Sequence, residues 1–146
     1  MNDDRPIDPA LVGATCWCLP PDAPRAISRR YDAALRPHGL TSGQFALLTV
    51  LAGAGRADAR ALAARLAMDR TSVIAALGPL RRDGLVAPCG PAGEDDPWTR
   101  PVTLTRAGRV RLGEAMRAWR RVQDDVAATL PAGDAAAAHA QLARLA

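Results

Sequence analysis

Between residues 56 and 82 the chain carries six arginines, Arg56, Arg60, Arg65, Arg70, Arg81 and Arg82. Only Asp58 and Asp69 oppose them, which leaves this segment a net charge of +4. The first 22 residues run the other way, with Asp3, Asp4, Asp8 and Asp22 against Arg5. A guanidinium stays positive at any working pH and grips a phosphate through paired N–H bonds. A basic middle beside an acidic arm therefore favours a polyanionic partner at the middle; the bland alternative is an ordinary solvated face. Inside this segment Asp69-Arg70-Thr71-Ser72 gathers a helix-capping carboxylate, a fork of donors and two hydroxyls. At the start of a helix such groups reach phosphates and base edges.

The remaining reactive side chains suggest less. Cys16-Trp17-Cys18 sets two thiols near the N-terminus, and Cys89 stands alone. A redox-sensing thiol needs a lowered pKa and access to oxidant. Arg25 would assist the first pair and the acidic arm would oppose it, so Cys16 and Cys18 stand as redox candidates beside the commoner inert reading. Cys89 is expected to be a small buried residue. A zinc site needs four ligands, and neither a fourth Cys nor clustered His exists; His38 and His139 read as surface or cap residues. Glu94-Asp95-Asp96 is a turn-borne charge run. With no nucleophile–base pair and no phosphate-cradling Gly loop, neither an enzyme nor a cofactor is expected.

These residues have to be positioned by one domain, since 146 residues suffice for one core and not for two ordinary domains. The apolar half of the chain is mostly Ala, Leu and Val, with one Phe, one Tyr and three Trp, so each helix buries little area. The acidic N-terminus lacks a signal-peptide pattern, and the longest apolar run, Phe45 to Gly55, is too short for a membrane span. A cytoplasmic protein is expected, with reduced thiols.

Residues 1–21, with Pro6, Pro9, Pro20 and Pro21, read as an arm. Asp22 and Pro24 can open a helix carrying Ile27, Tyr31 and Leu35 on one face, stopped by Pro37 and Gly39. Thr41 to Gln44 has the capping-box pattern, followed by buried Leu47, Leu48 and Leu51. A third helix spans about Ala59 to Ala67. Asp69 then caps a fourth with Val73, Leu77 and Leu80 inward, and Gly78-Pro79 predicts a bend there. Leu85 to Pro88 and Arg100 to Leu104 flank the turn-rich CGPAGEDDPWT as a hairpin. Trp98, near its tip, is expected to fold back onto the hairpin. Thr105 caps a long helix with Leu112, Met116, Trp119, Val122 and Val126 on one side, Leu130-Pro131 breaks it, and Asp134 starts a last one. The expected fold is mainly α with a small β-hairpin wing. Its third and fourth helices form a helix-turn-helix.

In order along the chain, RAISRRYDAAL, GLTSGQFALL, LAARLAMDRTSVIAALGPLRRDGLV and VTLTRAGR resemble the MarR family of winged-helix regulators. The resemblance covers about residues 25–126. It implies a winged helix-turn-helix at about 41–104, with dimerisation helices at about 22–37 and 105–146 in a single domain spanning 22–146. It implies a homodimer on a pseudopalindromic operator in double-stranded DNA, acting on transcription as a repressor. The DNA-binding residues would be Arg60, Arg70, Thr71, Ser72, Ala75, Arg81, Arg82 and Arg100. A small phenolic or lipophilic acid would bind near Tyr31, His38 and Phe45. The apolar side of the long helix, including Leu112, Met116, Trp119 and Val126, is expected to pair across the dimer. Two features depart from the family pattern. Ala75 and Ala76 stand where polar residues are common, and Asp96-Pro97-Trp98 replaces the usual wing arginines, with Arg100 as the nearest cation. They favour phosphate-dominated binding, or else an adaptor that has lost specific DNA binding.

Overall fold

A computed structural model describes residues 25–90, 96, 98–128 and 137. The N-terminal arm, the Asp22–Pro24 helix start, Pro97 and most of the wing turn lie outside the described residues, as does nearly all of the last expected helix. Helix α1 is Arg25–Leu35, and a 3-10 turn, Arg36–His38, leads to α2, Ser42–Ala54. Strand β1, Arg56–Ala57, precedes α3, Ala59–Leu66, and α4, Arg70–Arg82. Strands β2, Val86–Pro88, and β3, Val102–Leu104, then lead into α5, Arg106–Ala128.

Helix α2 is apolar around its circumference, the composition of a helix enclosed on all sides. It packs against α1, α3, α4, α5, β1 and β3, and Phe45, Leu47, Leu48 and Leu51 are buried. Its start has few unsatisfied donors. The Thr41 N–H donates to Gln44 Oε1 at 2.9 Å, and the Gln44 N–H donates to Thr41 Oγ1 at 3.2 Å. The capping box is therefore reciprocal, as the sequence indicated. Asp32 of α1 takes the next donor, accepting from the Ser42 N–H at 2.9 Å and its hydroxyl at 2.7 Å. These bonds fix the angle between α1 and α2.

The sheet is antiparallel, in the order β1-β3-β2. Its first strand was not expected: two residues are too short to show period-2 alternation. Arg56 pairs with Thr103 and Ala57 with Val102, and the Thr103 hydroxyl donates to the Gly55 carbonyl at 2.6 Å. On the other edge Val86 pairs with Leu104 and Pro88 with Val102. The expected strand starts at Leu85 and Arg100 shift to Val86 and Val102.

Three further points bear on the sequence reading. Helix α4 is one continuous helix through Pro79, where the sequence predicts a bend. Val73 and Leu77 before Pro79 and Leu80 after it are all buried, so packing holds both halves against the core. Second, the α5 face does not await a partner. Leu112, Met116, Trp119 and Val126 are 0–4% exposed within one chain, covered mainly by α1 and α2. Trp119 stacks on Phe45 at 6.1 Å between centroids. Third, Cys89 is only half-buried.

Two glycines hold the wing to α5. Gly84, at φ +67°, ends α4 in the left-handed region, and the Leu85 N–H then reaches back to the Leu80 carbonyl at 2.9 Å. Gly108 lies in the first turn of α5 against the Leu85 carbonyl, where an added Cβ would stand 2.0 Å from the oxygen. Thr105 clamps the same place: its hydroxyl donates to the Gly84 carbonyl at 2.6 Å and accepts from the Gly108 N–H at 3.0 Å.

Gly108→Ala should therefore lower the unfolding free energy by about 1–3 kcal/mol. Gly113 lies on the same helix with nothing within 4 Å of an added Cβ. Gly113→Ala should raise stability by about 0.5–1 kcal/mol through helix propensity. Urea unfolding of both variants checks the opposite signs, and equal effects would contradict the close approach at Gly108.

Candidate nucleic-acid interface

The turn before α4 is tight. Ala67 caps α3 at φ 49°, left-handed for a residue with a Cβ, and the Met68 N–H donates to the Ala63 carbonyl at 3.1 Å. Two residues later Asp69 is extended and caps α4. Its Oδ1 accepts from the Ser72 N–H at 2.9 Å, and its Oδ2 from the Ser72 hydroxyl at 2.5 Å. The hydroxyl bond and then the backbone bond hold the Asp69 carboxyl below the usual carboxylate range. Ser72 thus spends its proton on the cap and keeps only acceptor capacity outward.

Arg70, Thr71, Ser72, Ala75 and Arg82 are exposed, while Val73, Leu77 and Leu80 of the same helix are buried. Thr71, Ala75, Gly78 and Arg82, spaced four, three and four residues apart, form the side opposite the core. The middle of that side offers no side-chain donor. Arg60 of α3 is exposed as well, and Arg81 and Arg100 are half-buried. Arg81 has Nε and Nη2, and Arg100 has Nε, buried without a hydrogen-bond partner. Leaving buried charged donors unpaired is costly, and an anion seated beside them would remove that cost.

The wing approaches α4 from the side. The Asp96 carboxylate accepts from the Trp98 N–H at 2.9 Å, and its carbonyl accepts from the Arg100 N–H at 3.0 Å. This turn aims Trp98 back at α4, where its ring lies 5.0 Å under the Arg70 guanidinium. The sequence predicts that Trp98 folds back onto its hairpin; its ring also meets a charged partner on α4. At the wing root a cleft of about 360 Å³ is walled by Arg56, Arg65 and Arg100 together with Asp58, Ala61 and Cys89. The sequence points to Arg100 as a DNA-binding residue and to Arg56 and Arg65 only as members of the basic segment; the cleft itself exists only once β1 pairs with β3.

The three effector candidates separate. Tyr31 is fully buried and its hydroxyl donates to Gln123 Oε1 at 2.5 Å. Phe45 is fully buried beneath Trp119. His38 is half-buried, and its carbonyl accepts from Arg111 Nη1 at 2.7 Å. A second cleft of about 300 Å³ opens nearby, bordered by Asp32, Arg36, Leu40, Thr41 and Gln44 rather than by these rings. In a chain with so few large rings, those of α1 and α2 go to fill the core. Cys16 and Cys18 lie outside the described residues. Among the described residues no group of His, Cys, Asp or Glu is arranged to hold a metal, and no helix is long and apolar enough to cross a membrane.

No protein-family model matches the sequence, and no curated protein does. Among solved structures it is similar to the M. tuberculosis transcriptional regulator MosR in complex with DNA. That likeness has 36% identity over 83% of this chain and 85% of that one, with a TM-score of 0.69. A probable transcriptional regulator from Pseudomonas aeruginosa shares 29% identity over 84% of this chain and 92% of its own, at a TM-score of 0.70. A mutant MarR from E. coli complexed with operator DNA superposes at a TM-score of 0.71, over 83% of this chain and 86% of that one. Its 20% identity speaks to the fold alone. With the capped basic helix and the wing in place, and a regulator related at 36% identity, the chain belongs to the MarR family of winged-helix transcriptional regulators, DNA-binding proteins rather than enzymes.

Proposed function

We propose that two copies of this chain bind a pseudopalindromic operator in double-stranded DNA and repress transcription there, in the cytoplasm, until a small phenolic or lipophilic acid alters the spacing of the two α4 helices. In this reading residues 41–104 contact DNA, and residues 22–37 and 105–146 hold the dimer together within one domain spanning 22–146. The observation that carries it is the capped start of α4, with Arg70, Thr71 and Ser72 exposed beside one another. Arg70 and Arg82 stand about 18 Å apart along the axis at about 1.5 Å per residue. The major groove is about 12 Å wide, so one helix can set a cation against each bank. Arg60, Arg81 and Arg100 would add phosphate contacts, and Ala75 would face the bases with a methyl group. Half-sites would lie about one or two helical turns apart.

The donor-free middle of α4 favours one second reading, an adaptor without specific DNA binding. A gel shift with fragments flanking the protein's own gene separates the two. The regulator reading expects a retarded complex at low salt; its absence there would leave the adaptor. In a fluorescence-anisotropy titration, log affinity should fall linearly with log salt. Arg70→Ala and Arg82→Ala should each weaken binding across sequences and, with one such arginine lost from each of the two copies, reduce the slope by about two.

The Asp69 cap carries its own pH signature. A carboxyl lowered by folding contributes stability above its ordinary titration range and loses it as pH falls through the lowered value. The start of α4 should thus stay intact at mildly acidic pH. Carboxyl NMR should show Asp69 titrating below an ordinary aspartate and moving back up in Ser72→Ala; an unmoved titration would contradict the hydroxyl bond.

A further inference from the structure

The geometry points to Trp98 as a positioning residue that presents Arg70 to DNA, a role resting on the DNA-binding reading above. The two side chains are 28 residues apart, on different elements, and meet at 5.0 Å between guanidinium carbon and ring centroid. A cation–π contact at that distance engages one side of the guanidinium. The group carries five N–H donors, so those directed away from the ring stay available for a phosphate or for the O6 and N7 of guanine. One arginine can therefore hold Trp98 and DNA together.

Three observations make the contact more than a chance approach. Trp98 is half-buried and packs against the hydrophobic core, so its ring is a fixed platform rather than a loose flap. The Asp96 turn holds its backbone through the Trp98, Thr99 and Arg100 N–H groups. Asp69, the acid next to Arg70, has one oxygen on the Ser72 N–H and the other on its hydroxyl, so it is committed elsewhere. An exposed arginine normally loses much rotamer freedom when it grips a ligand. Stacked on Trp98, Arg70 has lost part of that freedom before DNA arrives. A wing without the usual arginines thereby still contributes to binding, by aiming the arginine of the neighbouring helix.

The test is a double-mutant cycle read by anisotropy on one DNA duplex, with circular dichroism to check folding. Trp98→Leu keeps apolar bulk but removes the π face, and should weaken binding by about three- to tenfold. Trp98→Phe restores a ring and should stay within about twofold of the parent. In an Arg70→Ala background, Trp98→Leu should weaken binding no further. The Trp98 contribution to fluorescence, taken as parent minus Trp98→Phe, should change on adding DNA, and in free protein on Arg70→Ala. Equal losses with Leu and Phe would overturn the proposal, as would full additivity with Arg70→Ala or unchanged affinity in Trp98→Leu. If Arg70→Ala itself leaves affinity untouched, the failure lies in the DNA-contact reading of Arg70. If it weakens binding while Trp98→Leu does not, only the positioning role fails.

Discussion

The structure depends on the enclosure of α2. A helix surrounded by four other helices and a sheet buries its side chains in every direction, so each neighbour is positioned against the same short cylinder. Phe45 sets the contact with α5, Leu47, Leu48 and Leu51 fill the interior, and the Thr49 hydroxyl turns inward onto the Phe45 carbonyl at 2.8 Å. The first turn of this helix leaves backbone donors without helical partners, and other protein groups take their place. Thr41, Gln44 and Asp32 supply them. The bond from Asp32 also ties α1, and through α1 the packing of α5, to the lobe that carries the recognition helix. The proposed change of dimer spacing would need a connection of this kind between α1 and the lobe that carries α4.

The recognition helix is held from three directions. Asp69 fixes its first turn, the buried Val73, Leu77 and Leu80 fix its rotation, and the Gly84 turn fixes where the chain leaves it. The proline at 79 costs one backbone bond near the last turn, where an α-helix already has unsatisfied carbonyls. Packing on both sides outweighs that loss, so the helix continues to Arg82. The close approach of Gly108 to Leu85 then joins the end of α4, the start of β2 and the first turn of α5 in one contact. The start of β2 is thereby anchored where two helices meet.

Local chemistry was legible in the sequence, and pairing at a distance was not. The Thr41–Gln44 box, the Asp69 cap, the Thr105 cap and the buried stripe of α4 follow from short-range rules and stand as read. The fold class and family followed as well, because four ordered motifs constrain one topology. Strand β1 escaped because a two-residue strand has no period of its own; only its partners Thr103 and Val102, 47 and 45 residues on, make it a strand. The α5 face was misassigned to a dimer for a similar reason. An amphipathic stripe says that something covers it and not which copy of the chain does. The Arg70–Trp98 contact and the arginine cleft at the wing root are likewise products of assembly.

The outward side of α4 has a consequence for how DNA would be read. Between Thr71 and Arg82 it presents Ala75 and Gly78, side chains no larger than a methyl group. Such a surface forfeits hydrogen bonds to base edges, and it also removes the bulk that keeps a helix away from the groove floor. On the proposed DNA-binding reading, a closer approach would shorten the distance from the flanking arginines to the phosphates and move discrimination from base edges to the width and deformability of the groove. The stacking of Arg70 on Trp98 fits this arrangement. When few side chains read bases, the geometry of the remaining cations decides which groove shapes they can span. An arginine held by a wing tryptophan would measure that shape more sharply than one free to follow it.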